Sequence, residues 1–171
     1  MLKTIGTALL IWLLCTLSVL LHELGHACTF RLGGGKGSWK FLVGSGPQLF
    51  DTARLRLHLI PAGGYFAPLD DEEPRTRKGK LWMLLGGPLA SLLLTLLFGV
   101  LRFAVFGSAG PEQAAGGLVY VSTFLLYFNF FQFFFTALPL RYRLVCRGLD
   151  SDGRQILRLL RQRKEKGGVG D

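Results

Sequence analysis

The chain has 171 residues, half of them apolar and 14 of them Phe, and it carries a formal net charge of +9. A soluble domain this small could not hide that much apolar surface, and the apolar residues run in long uncharged blocks, so a bilayer is part of the solvent. The charge argues for a membrane and against nucleic acid as a partner: nine Lys/Arg lie in 31–80, nine follow residue 140, and 107–117 has none. That asymmetry is expected of basic loops kept on the cytoplasmic side.

The first long apolar run, about residues 4–30, spans roughly 40 Å as a helix and would tilt or protrude. It is too long for a signal h-region and lacks a small-residue cleavage site, so it is expected to be retained. It carries five residues that no lipid-facing helix needs, His22-Glu23-Leu24-Gly25-His26, an HExxH motif. On a helix, positions i and i+4 share a face, so both imidazoles can reach one ion. Glu23, beside the first ligand, can take a proton from water at the metal. The same span has no other Asp, Glu, Lys, Arg or His. His22 lies nine residues before Arg31, about 14 Å along the helix, and an unpaired Glu at that depth costs at least about a few kcal/mol. Polar residues that merely join helices do not need this spacing. Cys15 and Cys28 read as small core residues of the same run. With Cys146 the cysteines number three, without CxxC spacing, which speaks against a disulfide framework and a structural Cys-zinc cluster.

Next comes a turn, Leu32 to Gly37, and then a β pattern over about 38–66. Trp39-Lys40-Phe41-Leu42-Val43 favours a strand, and Arg54-Leu55-Arg56-Leu57-His58-Leu59 alternates with period two. His58 is expected as a surface residue of that strand. Asp70 to Lys78 reads as a solvated charged loop. A second span follows over about 81–106, with Arg102 near its far end to snorkel. The third, about 118–140, is uncharged. Beyond it, Ile156, Leu159 and Leu160 recur at helical spacing among arginines, a short basic amphipathic helix for the inner membrane surface. The expected domains are a core over 1–156 and a basic cytoplasmic tail over 157–171. The expected topology puts the N-terminus outside, 31–80 inside, 107–117 outside and the C-terminus inside, in the cell (inner) membrane.

HExxH supplies two ligands and a base, and zinc with three protein ligands keeps a fourth position open. The third ligand should come from another segment at the same membrane face. Asp150 and Asp152 are candidates, and His58 and Cys146 are weaker ones.

HELGH at the inner end of the first span, Gly44-Ser45-Gly46-Pro47, Ile60-Pro61-Ala62-Gly63-Gly64-Tyr65, Gly86-Gly87-Pro88-Leu89, and Leu138-Pro139-Leu140 followed by Asp152-Gly153 together resemble the site-2 protease family of intramembrane zinc metalloproteases. The resemblance runs from about residue 5 to residue 156. It implies an α-helical integral membrane protein of three transmembrane helices, with a small membrane-associated β-hairpin or sheet between the first and second. It implies Zn2+ held by His22, His26 and an aspartate, with Glu23 as base, and a transmembrane protein as substrate. Asp152 is the better aspartate because Gly follows it, with Asp150 as runner-up. The strands from Gly44 to Pro61 would match a family sheet that dips into the membrane beside the site, whose edge could take an unwound substrate segment as an added strand. Several features depart from the family pattern. Thr136 stands where the family usually has Asn before the LP proline, and Ser91 where it has Asn after the GP proline. The gap from Pro139 to Asp152 is long, and the outer loop is too short for a PDZ-like domain. These bear on substrate positioning more than on metal binding. Asn129 is a polar group deep in the third span, expected to pack helices. The rival readings are an inactive relative that binds membrane proteins, and a metal-handling or transport protein, for which three spans leave little room for an inverted repeat. The sequence leaves substrate identity and oligomeric state open.

Overall fold

The computed structural model describes residues 2–69, 74–105, 107, 116–142 and 149–167. Among the described residues there are four α-helices and one two-stranded antiparallel sheet: α1 (Leu2–Leu32), β1 (Trp39–Asp51), β2 (Leu55–Pro68), α2 (Arg77–Val100, continued by one π turn over Leu101–Val105), α3 (Gly116–Ala137) and α4 (Asp152–Gly167). The first three helices contain segments long and apolar enough to cross a membrane: Thr4–Leu32, Arg77–Ala104 and Gly117–Ala137. The hairpin lies between the first and second, so the expected architecture is the observed one.

Each helix stops where its sequence forces it to. α1 ends at Gly33, and Gly34 takes a φ of +89°, which a side chain would resist. α2 begins at Thr76, whose Oγ1 accepts the Gly79 N–H at 3.0 Å as an N-cap. Arg102, at the far end of the second span, donates to the Gly107 carbonyl at 2.7 Å and to Thr123 Oγ1 at 3.0 Å. The end of α1, the start of α2, the end of α3 and the whole of α4 gather at the opposite end. There Arg77 of α2 donates to the Leu159 carbonyl of α4 at 3.2 Å.

Outward faces are greasy. Leu9, Leu13, Leu93, Leu96, Phe103 and Tyr127 are all exposed, a pattern that suits lipid rather than water. Burial is concentrated at the end that holds α4. Phe30, Phe41, Val43, Leu57, Phe66, Met83 and Leu84 form a core where α1, the hairpin and α2 meet.

The hairpin is bent. Gly44, Gly46 and Gly63 have positive φ, and the register shifts repeatedly. As a result Phe41 and Val43 face Phe66 and Gly64 on one side and Leu55 and Leu57 on the other. Phe66 stacks on His26 while the Leu59 carbonyl accepts from Trp12 Nε1 at 2.5 Å. Fourteen residues of α1, about 21 Å, separate those two contacts. The hairpin therefore runs alongside the first span. On its outer surface Lys40 and Arg56 hold Asp51 below the usual carboxylate range through ion pairs.

Cys15 is buried as expected, but Cys28 is exposed. Two residues past His26, it is turned roughly 200° from the ligand face. Cys146 and the Asp70 end of the charged loop lie outside the described residues.

Candidate metal centre

α1 and α2 cross where both are stripped of side chains. A Cβ at Gly25 or Gly86 would collide with the backbone of the other helix, so glycine permits the approach. One residue on, Gly87 faces the site itself. A Cβ there would overlap His26 Nε2 and stand 2.5 Å from His22 Nε2. The closeness of the crossing brings α2 to the ligands' far sides as well. His22 Nδ1 meets Ser91 Oγ at 2.8 Å, and His26 Nδ1 meets the Met83 carbonyl at 2.7 Å. The Gly87 N–H also points at His26 Nδ1, from 3.3 Å. A carbonyl can only accept, so the shorter contact decides: His26 Nδ1 carries the proton, and Nε2 is the atom left to face Asp152.

Asp152 arrives from the other end of the chain. Leu140 N donates to Ser151 Oγ at 2.9 Å, Ser151 N to the Leu140 carbonyl at 3.0 Å, and Tyr142 N to the Leu149 carbonyl at 2.9 Å. This short ladder closes the long gap after Pro139. Ser151 also caps α4, accepting the Arg154 N–H at 3.2 Å. Asp152 then falls in the first turn of α4, where a carboxylate suits the helix N-terminus. Gly153 packs against the Ala137 carbonyl without room for a Cβ.

The two Asp152 oxygens divide between the imidazoles: Oδ2 is 3.5 Å from His22 Nε2 and Oδ1 is 3.4 Å from His26 Nε2. The donor atoms of His22, His26 and Asp152 all lie within 4.8 Å of one another. Ligands of a tetrahedral ion at about 2.0–2.1 Å stand about 3.3 Å apart, so the donor set fits zinc in kind and spacing. Burial alone would raise the Asp152 pKa, but the imidazoles of His26 and His22 outweigh it and hold the carboxyl at about 2.

Asp150 is differently engaged. It pairs with Arg154 Nε at 3.1 Å and with Arg158, and it does not join the three-residue cluster. His58 sits half-buried in the hairpin, its Nδ1 3.4 Å from the Val43 carbonyl, also outside the cluster.

Glu23 is 2 % exposed, and its Oε2 has no hydrogen-bond partner among the described residues. β2 presses against it at Gly64, where a Cβ would run into the carboxylate. Glu23, His22, His26 and Asp152 all open onto one cavity of about 410 Å³, walled by β2 on one side and by Phe128, Phe131 and Phe135 of α3 on another.

Sequence reasoning treated Ser91 as a departure. It is fully buried and holds the first histidine. The Met83 carbonyl and the roles of Gly64 and Gly87 were also missed. Only the glycine pair in front of Pro88 hinted at them, as a mark of close backbone approach.

Fold and site together describe an integral membrane protein in which two histidines and an aspartate from separate helices are grouped closely enough to hold a metal ion. The sequence matches the model of peptidase family M50 over residues 10–147, and the chain belongs to that family, the site-2 proteases, which are intramembrane zinc metallopeptidases. No curated protein matches the chain. The family match stops short of Asp152, which the ladder from Leu140 to Ser151 carries to the histidines.

Proposed function

We propose that the chain is an intramembrane zinc endopeptidase that hydrolyses a peptide bond in or near the transmembrane segment of a membrane protein. His22, His26 and Asp152 hold the zinc, and Glu23 is the base. The observation that carries this reading is the convergence of three ligand atoms beside a buried carboxylate with a free oxygen, on a cavity large enough for a peptide segment. When bound, the zinc polarises a carbonyl and lowers the pKa of water to about 7.

The chain's residues do the rest. Glu23 takes the proton from a water in the cavity and gives it to the departing amine. Ser91 and Met83 keep the two imidazoles turned so that their Nε2 atoms face the cavity. The free edge of β2 near Gly64 accepts an unwound substrate segment as an added strand. Placing the site at the inner end of the bundle admits water without exposing it to lipid.

The test uses Glu23→Gln, nearly isosteric and unable to accept the proton. Zinc content should stay at the parent level while cleavage falls by about 10²–10⁴-fold. Unchanged cleavage would remove Glu23 from the mechanism. A second reading, an inactive relative that binds membrane proteins, draws on Thr136, whose hydroxyl is spent on the backbone of its own helix. A parent protein that holds zinc but cleaves no transmembrane substrate would favour it.

We further place the protein in the cell (inner) membrane with its C-terminus in the cytoplasm, from the basic 31–80 and 141–171 segments. A reporter fused after Gly167 should read cytoplasm, and one near Gly110 the exterior. The reverse would put the metal site at the outer face.

A further inference from the structure

α3 is an aromatic helix whose C-terminal half has three amide or aliphatic hydroxyl side chains: Asn129, Gln132 and Thr136. Thr136 is occupied, and Asn129 is occupied at its nitrogen, although its Oδ1 is buried without a partner away from the cavity lining. Asn129 donates to Ser18 Oγ of α1 at 3.3 Å and to the Leu125 carbonyl at 2.8 Å, which ties α3 to α1. Thr136 donates back to the Gln132 and Phe133 carbonyls at 2.9 and 3.2 Å, so its proton is committed to its own helix. Gln132 has nothing. Its Oε1 is buried without a partner, and no described residue pairs with its side-chain nitrogen.

Its surroundings make that a costly arrangement. Gln132 lines the same cavity as Glu23, His22, His26 and Asp152, and its neighbours on that wall are Phe128, Phe131 and Phe135. An amide among phenyl rings, without a partner, is destabilising, and buried polar groups left so in native proteins call for a reason. A primary amide offers N–H donors and a carbonyl acceptor side by side. One peptide unit of a chain without helical hydrogen bonds offers the complement, a carbonyl and an N–H. A continuous helix does not, because its backbone groups are already paired within it.

We infer that Gln132 is a substrate-binding residue. It receives the free backbone of the unwound transmembrane segment that the proposed peptidase takes. The inference rests on the peptidase reading of the cavity. Gln132 holds the segment from the α3 side while the edge of β2 holds it from the other. It also supplies the backbone donor that Thr136, with its proton committed, does not.

The experiment compares Gln132→Met, similar in size and apolar, with the parent. Both are made in the Glu23→Gln background, so that binding is read without cleavage. The probes are two fluorescent single-span Leu/Ala peptides in detergent micelles, one with a central Asn-Pro-Gly break and one continuous. The broken peptide should bind Gln132→Met roughly tenfold more weakly, the loss expected for one buried hydrogen-bonding partner. The continuous peptide should be affected less than twofold (about 0.4 kcal/mol by the usual conversion). Zinc content should not change, and the melting temperature should hold or rise, because an unsatisfied buried group has been removed. Equal affinity of the broken peptide for both proteins overturns the inference, as does equal weakening for both peptides. A drop in melting temperature overturns it too, since the amide would then be part of the packing. If the Glu23-bearing parent binds the broken peptide through Gln132 yet cleaves nothing, the peptidase reading fails and this one stands.

Discussion

The two walls of the cavity are built on different plans. On the α1–α2 side, glycines bring the helices into backbone contact, and both histidines have their outer nitrogens fixed, by Ser91 and by the Met83 carbonyl. On the α3 side, the wall is a row of large rings, many of them exposed, with one carboxamide left unpaired. A metal ligand must be held to within a few tenths of an ångström, which needs rigid elements and partnered side chains. A wall that receives varied segments needs adaptable surface instead. On the function proposed above, the contrast separates the part of the site assigned to chemistry from the part assigned to recognition.

Substitutions should respect that division. Gly87→Ala should have the largest effect, because its Cβ has to displace both ligand nitrogens. Zinc should be lost from the purified protein and cleavage with it, and retained zinc would show that α2 can back away. Ser91→Ala should be milder. It removes the partner of His22 Nδ1 without entering the site, and such a loss typically lowers metal affinity about 10–100-fold. Competition with a chelator measures it. An unchanged affinity would mean that packing alone orients the ring. Gln132→Met on the opposite wall should leave zinc affinity where it was.

The sequence disclosed most of this molecule for identifiable reasons. Spans are written as long uncharged runs, and the helical period alone puts His22 and His26 on one face. The hairpin was readable from the alternation at Arg54 to Leu59, although the bends at Gly44 and Gly63 were not. Contacts between helices were the hidden part. Ser91 lies 69 residues from His22, and Met83 lies 57 from His26. No local period links such pairs, so Ser91 could be seen as a departure but not as a partner. Asp150 and Asp152 are two residues apart, and composition could not separate them. The Gly after Asp152, as in the family motif, was the signal that favoured it, and the arginines four and eight residues after Asp150, which hold that carboxylate in an ion-pair cluster, were a second one left unread.

That choice of aspartate is also where the central claim is most exposed, since the two carboxylates sit side by side and only one faces the histidines. The measurement is zinc content per protein after purification, for Asp152→Asn and Asp150→Asn against the parent. The parent should hold one zinc, Asp152→Asn should lose most of it, and Asp150→Asn should keep it while giving up its ion pairs with Arg154 and Arg158. Full zinc in Asp152→Asn, or greater loss in Asp150→Asn, would contradict the three-ligand centre described above.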